Sequence, residues 1–182
     1  MRKIIAVIIL AVCFIQCETE KDTSFLITNN SIGKLNKESL VRDIEIIFEQ
    51  DSIVKDTTRL LSGYGAKKIK VFEKGGNHLL TLTPTVDSIP TIENIRIYDE
   101  RFQTEKGINI NSTFKEIKEK YSISKILTSF NNVVVILKNT DVYFTIDKKE
   151  LPSTLRYNVN ATIEAVQIPD TAKVKYMMIG WD

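Results

Sequence analysis

Cysteine is almost missing from this 182-residue chain: there are two, Cys13 and Cys17, both within the first 17 residues. The body that follows therefore has no disulfide framework, no cluster of thiolate metal ligands and no internal cysteine catalysis. Histidine occurs once, at His78, so a pair of imidazole ligands is not available either. The four prolines, at 84, 90, 152 and 169, are well separated, and no Pro-, Gly- or Ser-rich linker divides residues 24–182. Neither sign of charge prevails. Lys plus Arg number 25 against 23 acidic residues, and setting aside Arg2 and Lys3 leaves 23 against 23. A neutral body gives no electrostatic reason to expect nucleic acid as a partner. Spanning-length apolar runs are lacking too. The longest, Ile4 to Ile15, has twelve residues. As a helix it reaches about 18 Å at ~1.5 Å per residue, short of the ~30 Å hydrocarbon layer.

What is present begins at that run. Met1-Arg2-Lys3 is a short cationic start, and Gln16-Cys17 after the apolar stretch gives way to Glu18-Thr19-Glu20-Lys21-Asp22. A charged start, a short oily segment and an abrupt polar change form the pattern of a secretion leader. The remaining residues, in a chain with 43% apolar and 26% charged composition, suffice for one domain with its own core. Residues 1–16 are expected to be a signal peptide, 17–23 an attachment residue and tether, and 24–182 a single domain.

Positive start, apolar run, Cys17 and polar tether together resemble a bacterial lipoprotein signal in the loose form common in Bacteroidetes. The resemblance implies a lipid anchor: a diacylglyceryl group on the Cys17 thiol, cleavage before it, and acylation (palmitate-type) of the new amine. It departs from the usual pattern in Phe14-Ile15-Gln16, where small residues commonly precede the cysteine. Cys13, after Leu10-Ala11-Val12, is a rival attachment site, and a plain signal peptide or uncleaved anchor is the third reading. One buried chain holds a protein marginally and two or more hold it firmly, so a triacylated Cys17 stays in its leaflet. The six residues Glu18 to Thr23 reach about 20 Å fully extended, at ~3.4 Å each. The expected location is the cell envelope, at one face of the outer membrane. Glu18, Glu20 and Asp22 either resemble a surface-display signal or form a solvated linker.

Residues 24–182 read as α+β: a mainly antiparallel sheet built from hairpins, with two short helices, arranged as two similar helix-then-hairpin halves. A first helix is predicted from Asn36 as N-cap, because Val41, Ile44 and Phe48 recur at i, i+3, i+7. A second runs from Thr113 through about Tyr121, with Thr113 and Glu116 as a capping box and Phe114, Ile117 and Tyr121 repeating the spacing. Alternation in Lys68–Phe72, the Gly75-Gly76-Asn77 turn and the return through His78–Thr83 predict a hairpin. Ile92, Ile95 and Ile97 mark a strand. Val133 to Leu137 is continuous and apolar, which predicts a strand buried on both faces. It turns at Asn139-Thr140-Asp141 into Val142–Ile146, and Val174–Trp181 closes the chain. The helix-then-hairpin halves are distantly similar to small periplasmic modules of the β-lactamase-inhibitor-protein type. The segment Gly107 to Tyr121 also resembles Bacteroidetes lipoproteins of unknown function that read "GI...NST..EI...Y".

Catalytic signatures are few. No Gly-x-Ser-x-Gly elbow, no His-pair or Asp-rich metal spacing and no nucleotide loop occurs, so no catalytic residue, metal or cofactor is assigned. His78 follows a turn and reads as a strand-end residue facing water. Asp99-Glu100 and Glu49-Gln50-Asp51 are carboxylate pairs at element ends. Glycoside hydrolysis would require such a pair held ~5–9 Å apart across a cleft. Gly63-Tyr64-Gly65-Ala66-Lys67-Lys68 combines turn residues with cations, which makes Gly63, Gly65, Lys67 and Lys68 the candidate anion loop. Of the aromatics, Tyr98, Phe102, Tyr143 and Trp181 fall on strands, with Trp181 read as closing the core. The expected function is that of a lipid-anchored envelope protein acting as a non-enzymatic binding or structural module. Its expected partners are membrane lipid through acylated Cys17 and an envelope protein or glycan. The alternatives are an inhibitor or immunity-type protein-binding module, or a glycan or peptidoglycan hydrolase.

Overall fold

The computed structural model describes residues 22–56, 68–156 and 162–181. Among the described residues the structure is mostly β: twelve strands form a four-stranded and an eight-stranded sheet, and only 17% are helical. A small meander comes first, β1 (Leu26–Ile27), β2 (Ser31–Ile32) and β3 (Leu35–Asn36). Four longer strands follow, β4 (Ser52–Lys55), β5 (Ile69–Phe72), β6 (His78–Pro84) and β7 (Ile92–Ile97). The chain then returns to the small sheet as β8 (Gln103–Thr104), parallel to β1. A second set of four is β9 (Ile123–Thr128), β10 (Asn132–Leu137), β11 (Val142–Asp147) and β12 (Val174–Gly180). The large sheet has the order β4-β5-β6-β7-β12-β11-β10-β9, so two four-strand meanders join where β7 pairs with β12.

These findings overturn the α+β reading. The first expected helix shrinks to a 3₁₀ turn at Val41–Asp43 and a single α-turn, α1 (Ile44–Ile47). Asn36 is no cap: it pairs with Ser31 in the small sheet. Asp43, the residue before α1, makes no side-chain capping bond, and Phe48 leaves helical geometry at φ −109°, ψ 38°. Three of the four residues of α1 are isoleucines, whose branched Cβ is a poor helix former. The i, i+3, i+7 spacing did locate core contacts, since Ile44 and Phe48 are buried in the core cluster and Val41 packs against that cluster. It did not report a helix. By contrast α2 (Phe114–Lys120) forms behind a complete capping box: the Thr113 N–H donates to Glu116 Oε2 at 2.7 Å, and the Glu116 N–H donates to Thr113 Oγ1 at 3.4 Å. A last α-turn, α3 (Ser153–Arg156), follows a 3₁₀ turn at Lys148–Glu150, and one more 3₁₀ turn comes at Ala165–Gln167.

The unit of each half is corrected as well, from helix-then-hairpin to a short helix followed by a four-strand meander. Val133–Leu137 is not buried on both faces. Val133, Val135 and Leu137 are buried while Val134 and Ile136 are half-exposed, so this strand alternates like its neighbours. One apolar cluster lies against a single face of the large sheet. It takes Leu80, Leu82, Ile95, Ile97, Phe144, Met177 and Ile179 from that sheet. From the layer above it takes Ile32 and Leu35 of the small sheet, Ile44, Phe114 and Ile117. Trp181, 4% exposed, closes its margin. Among the described residues no helix is long and apolar enough to cross a membrane.

Candidate functional site

The core uses one face of the large sheet, and the alternate residues of every strand therefore stand on the other. Register pairing puts Val54, Lys70, Thr81, Arg96, Met178, Tyr143, Ile136 and Lys125 in one row across all eight strands. None of the eight belongs to the core cluster. At ~4.8 Å per strand the row is about 34 Å long.

Beside its centre runs a ladder of stacked rings and cations. Phe72 at the end of β5 stacks on His78 with ring centres 4.6 Å apart, and His78 stacks on Tyr98 at 3.8 Å. The Arg96 guanidinium lies 4.9 Å from the Tyr98 ring centre and 3.5 Å from that of Tyr176. Lys175 Nζ continues the series, 5.4 Å from Tyr176. Arg96 Nε is buried without a hydrogen-bond partner among the described residues. Tyr98 is 36% exposed, and the Tyr143 hydroxyl accepts a 2.7 Å hydrogen bond from Asn94 Nδ2. The face thus presents three tyrosines, a methionine and a guanidinium that no carboxylate neutralises within its row.

His78 is a structural member of this ladder. Its Nε2 lies 3.1 Å from the Leu80 carbonyl oxygen, which can only accept, so Nε2 carries the proton and shares it with Thr81 Oγ1 at 3.0 Å. Burial pushes the imidazole below its ordinary value of 6.5; the Leu80 carbonyl opposes this, and Lys70 and Arg96 add to the depression. A base whose folded pKa is depressed binds its proton more readily when unfolded. Stability is then complete above about pH 6.5 and declines as pH falls through that value toward the folded pKa. His78→Phe, which keeps the stack, is expected to flatten the loss of thermal midpoint between about pH 7.5 and about pH 5 relative to wild type. Parallel melting curves for the two proteins across that window would exclude a half-buried histidine with a depressed pKa.

The carboxylates beside the ladder are committed to structure. Arg101 donates from Nη1 and Nη2 to the two Glu73 oxygens, both at 2.9 Å. It also meets Asp99 Oδ1 through Nε at 2.9 Å and Oδ2 through Nη2 at 2.8 Å. These bonds hold both carboxyls below the usual carboxylate range. A glycosidase acid must keep its proton near neutrality, and neither of these can. Glu100 points elsewhere, toward the Asn111 side-chain amide. A cleft of about 840 Å³ adjoins this network, with Glu73, His78, Tyr98, Arg101 and Lys175 among its walls.

Of the residues singled out from sequence, Cys17, Gly63, Gly65 and Lys67 lie outside the described residues. Lys68 is exposed, and its carbonyl accepts the Asp56 N–H at 2.8 Å, extending the β4–β5 ladder. Phe102 joins the core and meets Phe25 edge-on at 5.0 Å. Arg96, Tyr176, Phe72 and Lys175 were not singled out. The alternation of Glu93-Asn94-Ile95-Arg96-Ile97-Tyr98 does put Arg96 and Tyr98 on one face. Their approach to Tyr176 depends on β7 pairing with β12, some eighty residues later.

Comparison with known protein families finds no match, and comparison with curated proteins finds none. Among solved structures, the crystal structure of the uncharacterized protein yfeY from Escherichia coli is similar, with a TM-score of 0.55 at 12% identity over 85% of this chain and 98% of that one. At that identity the likeness concerns the fold alone.

Proposed function

We propose that the chain is a lipid-anchored cell-envelope protein whose folded part is a non-enzymatic binding module, engaging a partner through the open face of its large sheet. The ladder carries this reading. Arg and Tyr dominate binding hot spots, and an Arg gripped between two tyrosine rings is already ordered before a partner arrives. The breadth of the face favours a protein partner over a short glycan. A row of about 34 Å, several residues deep, matches the ~800 Å² per side of an ordinary protein interface. The inhibitor or immunity-type reading shares that breadth and differs only in the identity of the partner. Anchoring is supported by the leader pattern that ends at Cys17.

The two parts have separate tests. Mass measurement of the amino-terminal peptide, with and without globomycin, and flotation of wild type against Cys17→Ala report the anchor; a soluble wild-type protein overturns it. For the face, a photo-crosslinking residue replaces Met178 in cells, with the exposed Glu119 on α2 as the control position. One discrete adduct is expected from position 178 and none from 119. Arg96→Ala is expected to weaken that adduct tenfold or more, in line with hot-spot truncations of about 2 kcal/mol. Equal labelling from both positions would overturn the binding face.

A further inference from the structure

The described chain begins at one end of the large sheet. Phe25 packs on Phe102 and lies 4.2 Å under the Arg101 guanidinium, both on the segment that leaves β7. By the antiparallel order, that same end holds the β5–β6 turn, the start of β12, the segment after β11 and the β9–β10 turn. At the tip of the last of these, Phe130 is 76% exposed, and Leu127 on the adjoining strand is 46% exposed. A cleft of about 520 Å³ lies beside the tip, lined by Phe130 together with Asp147, Lys148, Lys149, Arg156 and Lys175. The lining has four cations and one carboxylate. Asp147 is engaged by Lys175 at 2.8 Å, which leaves a positive excess at Lys149 and Arg156. Arg156 is fixed by donating from Nε to the Leu151 carbonyl at 2.6 Å, and Lys149 is exposed.

We infer that this end of the domain docks on phospholipid headgroups, with Phe130 entering the interface and Lys149 and Arg156 meeting the phosphates. The inference rests on the anchored reading above, because a tether of about 20 Å keeps the chain's entry end near the bilayer. The combination selects a membrane over a soluble anion: an exposed aromatic at the rim has no task toward free phosphate, whereas aromatic rings with neighbouring cations suit the headgroup layer. Each cation close to an anionic surface contributes about fivefold in affinity. Tethering raises the effective concentration, so a weak contact suffices to set the orientation.

The experiment uses the full chain, purified with its own processing, carrying Phe130→Trp. Trp181, the chain's one native tryptophan, is buried and gives the background. Vesicles of phosphatidylcholine, alone or mixed with phosphatidylglycerol, carry brominated acyl chains as quenchers. The expected result is a blue-shifted, quenched emission on the anionic vesicles. The double variant Lys149→Glu/Arg156→Glu, in the same Phe130→Trp background, is expected to lose most of the quenching while still floating with the vesicles. Two results overturn the inference: unquenched emission from the introduced indole on anionic vesicles, or the same shift produced by inorganic phosphate without lipid. Flotation and amino-terminal mass read the anchor independently, so loss of quenching with an intact anchor and loss of the anchor itself are distinct outcomes.

Discussion

Phe144→Ala is expected to lower the unfolding free energy by about 3–5 kcal/mol, the range for truncating a fully buried aromatic ring. Phe144 stands at the middle of β11, opposite Val135 on β10 and Met177 on β12, and all three are fully buried. The ring belongs to the second meander but sits in the same cluster as Leu80 and Ile97 of the first. A cavity there loosens both, and the surrounding strands cannot close it without breaking the ladder. Since domains of this size are stable by about 5–15 kcal/mol, the variant is expected near the edge of folding at 37 °C. Urea titration reads the effect, with the midpoint lowered and the slope unchanged. The adjacent residue supplies the contrast. Tyr143 points to the other face, and Tyr143→Phe removes only the bond from Asn94, worth about 0.5–1.5 kcal/mol. Similar costs for the two variants would mean that the core has been placed on the wrong face of β11.

That contrast also marks how far the sequence could be read. Alternation along Lys68–Phe72, the Gly75-Gly76 turn at φ +115° and +95°, and the capping box at Thr113 are local signals, and the strands and helix they indicate are present. The α+β class failed where one local signal had two explanations. Val41, Ile44 and Phe48 face the core whether the chain turns as a helix or as a 3₁₀ turn and loop, and spacing alone does not separate these. Strands of two residues, such as Leu26–Ile27 and Gln103–Thr104, are too short to show any period. They exist because partners distant in sequence pair with them. Val133–Leu137 misled for a related reason. Its outward residues are apolar too, since Val134 and Ile136 belong to a face that is itself half-covered by Tyr143, Tyr176 and Met178.

The candidate face was legible only in fragments. Tyr98 and Tyr143 could be marked as strand aromatics, and the period-2 pattern of β7 places Arg96 beside Tyr98. The ladder itself needs the order of eight strands, and in particular the junction of β7 with β12 that brings Tyr176 onto Arg96. The same order gives uneven surfaces to a chain whose charges, Arg2 and Lys3 set aside, sum to zero. Glu73 and Asp99 share the one guanidinium of Arg101, while Arg96 on the face and Lys149 and Arg156 at the sheet end have no carboxylate within ion-pair distance among the described residues. Composition reports the sum of charges, and only topology reports where they collect.

Gly33→Ala is the second substitution with a large expected effect, and it acts through the backbone. Gly33 joins β2 to β3 at φ +53°, a region that costs a residue with a Cβ about 1–2 kcal/mol. Space is the larger obstacle. A Cβ built there stands 2.3 Å from the Ser24 carbonyl oxygen and 3.6 Å from the Phe102 ring. The Ser24 carbonyl cannot retreat freely, because its neighbours are tied on both sides: the Leu26 N–H donates to the Thr23 carbonyl at 3.0 Å and the Gln103 N–H to the Phe25 carbonyl at 3.0 Å. The expected total exceeds about 3 kcal/mol, more than strain at a special backbone position costs by itself. Gly75→Ala isolates the two contributions. Gly75 also has positive φ, but a Cβ there meets nothing within 4 Å, so only the conformational part should be seen. Hydrogen exchange gives the spatial reading. Amides of β1 to β3 and of Gln103 are expected to lose protection in Gly33→Ala while those of β10 to β12 keep it. Uniform loss across both sheets, or a cost no greater than that of Gly75→Ala, would show that Ser24 does not close over this turn. The segment released is the one through which the chain enters the domain, so the variant should also free the Phe130 end from its fixed direction toward the tether. In the anionic-vesicle measurement, Gly33→Ala combined with Phe130→Trp is therefore expected to show weaker quenching of the introduced indole with flotation unchanged.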